Sequence, residues 1–381
     1  MLAPRMPVTY KRLAIPGSEV TQKGDSWEER LNPREKKQMK KLIVGLQIVS
    51  LLAASAYAYG PRGHHLVGAI ADKRLAKKKP VANKVKELLD GLTLEAAATL
   101  PDELKSLDDC GKKPGTKPLN GSKRINNEMR AFLNANRCDG NPSHHFFHFT
   151  DVPVFGDEKY GGGEVGRSNF DIVHMIPFCI RVLKGQVPET NGRAITKTVA
   201  VILLAHYLGD IHQPLHVGAE YFNASGNPFE PATTNKGFAD QGGNKLTLFT
   251  LAGGKKVSAG KFHSYWDGQT VDNAFGAAAN QTIATKLAGT EPANWKLTGA
   301  VETWAEQLAN DILPLAREAH ERLEFKNIKS KTGAKDIVSG RAEEKKKPGE
   351  PFYAIWAAAT VKDEVHKAGW RLAALLEELL Q

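Results

Sequence analysis

The chain reads as mainly α, a single multi-helix domain with one small β-hairpin. Three observations carry that reading. Apolar residues recur at about one-turn spacing in window after window from residue 59 onward. Only one stretch has the look of a strand pair, and no repeat or domain boundary interrupts the helical windows.

The windows follow in order. "HHLVGAIADKRLAKK" sets Leu66, Ile70 and Ala71 on one helical face, and similar patterns run through 82–90, 122–136, 168–185 and 193–209. Later windows cover 271–288, 297–323 and 354–380. "KLTLFT", then an "LAGG" turn and "KKVS", predicts the hairpin. Residues 222–244 are rich in Gly, Pro, Asn and Thr and read as a long loop of the kind that often carries function. Residues 326–351 are hydrophilic and mostly basic, and read as a solvated surface loop.

Ahead of these windows lies a different kind of sequence. Residues 39–58, "MKKLIVGLQIVSLLAASAYA", place two lysines before an apolar run at 42–54 and end on small residues either side of Tyr57. That is the layout of a secretory signal cut after Ala58, and the run is short against the roughly 20 residues that span a bilayer. Residues 1–38 are polar, charged and aperiodic, as expected of a disordered or over-extended start. The expected working domain is 59–381, secreted or periplasmic, monomeric and without stable membrane association.

Net charge is +10 over the whole chain and +5 over 59–381, where 42 basic residues face 37 acidic ones. That sign favours polyanionic partners without naming one. Of three cysteines, Cys110 and Cys138 lie in polar segments and are the plausible disulfide pair, while Cys179 in "IVHMIPFCIRVL" reads as core.

The chemistry concentrates in histidine and aspartate. "LLAHYLGDIHQPLH" separates His206 from Asp210 by four residues, one helical turn, and Pro214 then ends the helix before His216. "FHSYWD" repeats the spacing with His263 and Asp267, "HHFFHFTD" supplies His148 and Asp151, "TLPDELK" offers Asp102 and Lys105, and "YGPRGHH" adds His64. Imidazole and carboxylate without thiolate suit catalytic zinc. Even with Asp151 set aside, five histidines and three aspartates exceed what one zinc can use, so two or three metals are implied, as in phosphate-ester hydrolysis.

Taken together, "YG-x-x-GH", "PDELK", "HF-x-D", "HYLGDIHQPLH", "GGN" and "H-x-x-WD" resemble, in order and rough spacing, the trinuclear-zinc, single-strand-specific nucleases typified by mung bean nuclease. Those enzymes share the helical fold of the zinc-dependent phospholipases C. The resemblance covers most of 59–381 and implies three zinc ions. Asp102, His148, His206 and Asp210 would hold the first, with Asp210 bridging to a second held by His64 and by the α-amino nitrogen and carbonyl oxygen of Tyr59. His216, His263 and Asp267 would hold the third.

It further implies in-line attack on phosphorus by a water activated between the paired zincs and oriented by Asp102. Lys105 would neutralise a phosphate oxygen, Phe149 would stack a base, Asn244 would sit on the substrate side and Asp151 would orient a ligand histidine. The expected reaction is hydrolysis of single-stranded DNA or RNA to 5′-phosphorylated products, with removal of 3′-phosphates from nucleotides. The rivals are a zinc phospholipase C on the same fold and a non-catalytic secreted zinc- or polyanion-binding protein.

Two departures stand out: Tyr59 replaces the family's usual first tryptophan, and 326–351 is longer than the family norm. His65, His144, His174, His320 and His366 complete no ligand pattern and read as surface or core residues, as does His212. His145 stays open.

Overall fold

The computed structural model describes residues 59–381, so the expected signal at 39–58 and the segment 1–38 lie outside the described residues. The order is α1 (Gly60–Leu75), α2 (Lys79–Leu88), α3 (Leu94–Ala97), α4 (Leu100–Ser106) and α5 (Lys123–Ala135), followed by the short strand β1 (Val152–Pro153). Next come α6 (Ile172–Leu183), α7 (Lys197–Asp210) and the strands β2 (Gly218–Ala219), β3 (Tyr221–Phe222), β4 (Phe238–Ala239), β5 (Leu246–Ala252) and β6 (Lys255–Lys261). The chain closes with α8 (Phe262–Ser264), α9 (Thr270–Phe275), α10 (Asn280–Ala288), α11 (Trp304–Glu321), β7 (Leu323–Lys329), β8 (Ser339–Glu344) and α12 (Tyr353–Leu380).

The mainly helical fold has α7 at its centre. "KTVAVILLAHYLGD" is apolar all round, and such a helix must be buried on every side; every residue from Thr198 to Asp210 is. Helices α1, α4, α5, α6 and α12 enclose it. Its start is set by Thr196, whose hydroxyl accepts the Val199 amide at 3.2 Å. Its end is set by Pro214, just after the helix, where the Gln213 side chain accepts the Leu215 amide at 2.5 Å.

Two expectations change. The hairpin β5–β6 is half of a four-stranded sheet of order β6-β5-β8-β7, in which β8 runs parallel to β5 with Leu246 opposite Gly340. Residues 326–351 therefore contribute strands and not only a solvated loop. "SGRAEE" lacks the alternating β-branched pattern of a strand; it becomes one between β7, its antiparallel neighbour in the chain, and the distant β5. The window 271–288 is split at Gly276, whose φ of 58° ends α9.

Small pairings hold the site in place. β1 runs parallel to β2, with Val152 opposite Gly218, which fastens the segment after His148 to the segment after His216. Cys110 and Cys138 are joined in a disulfide, with α-carbons 5.4 Å apart, and Cys179 is free and buried. Among the described residues no helix is long and apolar enough to cross a membrane.

Candidate metal centre and substrate pocket

The last turn of α7 carries His206 and Asp210 on one face. Asp210 Oδ2 lies 3.1 Å from His206 Nε2 and 2.9 Å from His148 Nδ1, while its other oxygen lies 3.3 Å from His64 Nε2. One carboxylate thus faces two sets of imidazoles, the arrangement a bridging ligand requires. Asp102, in the first turn of α4, approaches both sets, at 3.7 Å from His206 Nε2 and 3.9 Å from His64 Nε2. His64 reaches α7 because position 209 is glycine: a β-carbon there would stand 2.7 Å from the His64 ring.

A further set forms beside it. His263 Nε2 lies 3.5 Å from Asp267 Oδ2, and the His216 and His263 rings are 4.9 Å apart. Asp267 sits in a single π-helical turn, Tyr265–Gln269, an irregularity common at functional sites. Three groups therefore bring ligand atoms within 4.8 Å of one another: His64, Asp102 and His206; His148, His206 and Asp210; His216, His263 and Asp267.

Backbone carbonyls orient the rings. His206 Nδ1 bonds the Ala98 carbonyl at 2.7 Å, His216 Nδ1 that of His148 at 2.8 Å, and His263 Nδ1 that of Gly242 at 2.7 Å. Each bond sets the tautomer and turns Nε2 into the site. The Gln213 amide donates to Asp267 Oδ1 at 2.9 Å and holds that carboxylate in the same way.

These residues fit metal ions. Buried polar atoms almost always find a partner, yet both nitrogens of His64, one oxygen each of Asp102, Asp210 and Asp267, and His216 Nε2 are buried without one. Burial drives the His216 imidazole down to about 4 and that of His263 to about 3, so both rings are neutral and their lone pairs free. Burial also pushes the Asp102 and Asp267 carboxyls up, the penalty a buried cation would relieve. A fourth grouping, Asp108, Cys138 and His145, has no thiolate to offer because Cys138 is disulfide-bonded.

The third group opens on a pocket of about 610 Å³ whose wall includes His216, His263, Lys105, Phe149, Asn244 and Asp151. Lys105 stands one turn beyond Asp102 on α4. The Asn244 amide donates to the Gln241 carbonyl at 3.0 Å, closing a turn in which Gln241, Gly242 and Gly243 all have positive φ. Gly242 is required there, since a β-carbon would run into the Leu215 carbonyl.

Asp151 makes no side-chain hydrogen bond to His206, His216 or His263, whose outward ring nitrogens go to backbone carbonyls. Its own carboxyl, crowded by burial and by Asp240, Asp336 and Asp171, is pushed up to about 8 and stays protonated at neutral pH. Tyr59 starts α1 with φ of 44°, rare for a bulky residue, and its buried hydroxyl donates to the His212 carbonyl at 2.5 Å. Its own carbonyl accepts the Gly63 amide at 2.9 Å.

The remaining histidines lie outside the three groups. His65, His320 and His366 bond carbonyls, His144 and His174 face Asp108 and Asp171, and His212 bonds Leu208 and Arg371. His145 lines the pocket. Pocket residues that sequence reasoning missed include Phe146, Phe170, Gln241 and Lys335. "HFFH" offered a signal for Phe146; nothing local marked Lys335.

Residues 59–381 match the family described as S1/P1 Nuclease. No curated protein matches the chain. A match of that extent, on a helical domain that gathers three histidine–aspartate groups beside one pocket, establishes that the chain belongs to the S1/P1 nuclease family, hydrolases acting on nucleic acids.

Proposed function

We propose that the protein is an exported zinc-dependent endonuclease. It cuts single-stranded DNA or RNA to 5′-phosphorylated products, and it also removes the phosphate from 3′-nucleotides. The observation that carries this reading is the set of three unsatisfied His/Asp groups, one of which opens on the pocket that Lys105, Phe149 and Asn244 line. Three zinc ions, when bound, would supply Lewis acidity and a water acidified to near neutral pH.

The chain's own groups do the rest. Asp102, at the junction of the two facing sets, orients the attacking water. Lys105 sets an ammonium against a non-bridging phosphate oxygen, and Asn244 fixes the substrate side of the turn. Phe149, half-exposed on the wall, stacks a base whatever its identity. Cleavage after Ala58 would give Tyr59 a free α-amine, a group that sheds its proton to a metal far more readily than a lysine.

The test is N-terminal sequencing with zinc stoichiometry on the exported protein, and hydrolysis of single-stranded DNA and phosphatidylcholine with and without chelator. Chelator-sensitive cleavage of DNA by a protein that starts at Tyr59 and holds three zincs is the expected result. Fewer zincs, or a different first residue, would overturn the amine-ligated site. Hydrolysis of the lipid alone would replace the nuclease by a phospholipase C.

A further inference from the structure

Residues 329–336, "KSKTGAKD", hold three lysines and one aspartate and form most of the tip that joins β7 to β8. The tip is tied down on the site side of the molecule. The Ala239 amide donates to the Lys335 carbonyl at 3.3 Å, and the Ile337 amide to the Ala239 carbonyl at 3.0 Å. The Gln241 amide donates to Asp336 Oδ2 at 2.6 Å. Ala239 and Gln241 flank Asp240 just ahead of the Gly242–Asn244 turn, so the backbone of Lys335 is positioned by the same loop that positions Asn244.

The charges along the hairpin differ in what they face. Lys326, in β7, is neutralised by Glu324 at 3.0 Å and Glu343 at 3.3 Å. Lys335 is exposed, lines the pocket with Lys105, and makes no salt bridge among the described residues. Its neighbour Asp336 is engaged by Gln241. An ammonium without a salt-bridge partner, carried on a backbone that the loop ties down at the wall of a site for a polyanion, attracts phosphate as a point charge without base preference.

We infer that Lys335 binds a backbone phosphate of a nucleotide flanking the one seated in the pocket, so that the β7–β8 tip tracks the single strand. The inference rests on the reading of the pocket as a nucleic-acid site. A 3′-nucleotide has no flanking phosphate, so the contact exists only for longer substrates. Each such contact on a single strand contributes about 0.7 to the slope of log affinity against log salt.

The experiment compares the parent protein, Lys335→Ala, Lys335→Arg and Lys326→Ala on a single-stranded oligonucleotide of about a dozen nucleotides and on a 3′-nucleotide, over a range of salt. Lys335→Ala should raise KM for the oligonucleotide about 3- to 10-fold with kcat held, and flatten its salt slope by about 0.7. The KM for the 3′-nucleotide should move less than about twofold, and Lys335→Arg should restore the parent values. Equal shifts on both substrates, no shift on either, or the same shift from Lys326→Ala would overturn the inference. A parent that leaves the oligonucleotide intact would instead overturn the reading of the pocket, and the inference with it.

Discussion

Asp210 and Asp240 are both wholly buried and both face histidine, but their surroundings differ in kind. Asp240 accepts the Glu220 amide at 3.1 Å on one oxygen and lies 3.2 Å from His320 Nε2 on the other, while His320 Nδ1 bonds the Ala316 carbonyl at 2.8 Å. Every polar atom of that pair has a partner. Around Asp210, three imidazoles crowd one carboxylate and several of their neighbours' nitrogens and oxygens have none. Burial of histidine with aspartate therefore does not mark a metal site. A gathering of unsatisfied His and Asp atoms within ligand distance of one another is the better sign, because one cation would give them all a partner.

The contrast can be broken by substitution. Asp210→Asn removes the carboxylate shared by two sets, and is expected to lower both bound metal and nuclease activity, the latter by about a thousandfold or more, with helical circular dichroism retained. Metal analysis beside a cleavage assay checks it. Asp240→Ala should do the reverse. It leaves metal content and kcat near those of the parent but destabilises the fold by about 3 kcal/mol, read from urea unfolding, because His320 loses its buried partner. A loss of metal from Asp240→Ala would erase the distinction.

Gln213→Leu tests the intermediate case, a residue that touches a ligand without being one. Loss of its bond to Asp267 should weaken the metal held by His216, His263 and Asp267 about 10- to 100-fold, measured by competition with a chromophoric chelator, with the other ions unaffected. The effect confined to a pH window is at Glu220, beside Asp240. Burial pushes its carboxyl up to about 7, so the folded state keeps a proton that the unfolded chain releases near pH 4.5. Stability from this group is full below that pH and is lost as pH rises through 7. Glu220→Gln should match the parent at about pH 4 and exceed it above pH 7, in thermal melts at each pH.

These sites were unequally legible. His206 with Asp210, and His263 with Asp267, could be picked out because a four-residue spacing is a local property of the chain. Asp102 and His148 needed their motifs read together. Asp151 stood in a motif, but the carboxylates that crowd it, Asp240, Asp336 and Asp171, come from distant segments. The strand Ser339–Glu344 was hidden for a similar reason: its pairing with Leu246–Ala252 is parallel and long-range, and its composition argues for a loop.

By itself the sequence determined the helical class, a helical stretch at 193–209, the histidines and aspartates that could hold metal and which of them share a turn. Those properties depend on helical period, on proline and on side-chain chemistry, all of which act within a few residues. Only the tertiary structure decided the distances at which those side chains gather. It also decided which nitrogen of each ring faces inward and that Lys335 reaches the same pocket as Lys105. Convergence of segments far apart in sequence is set by packing against a shared core, and no local pattern encodes it.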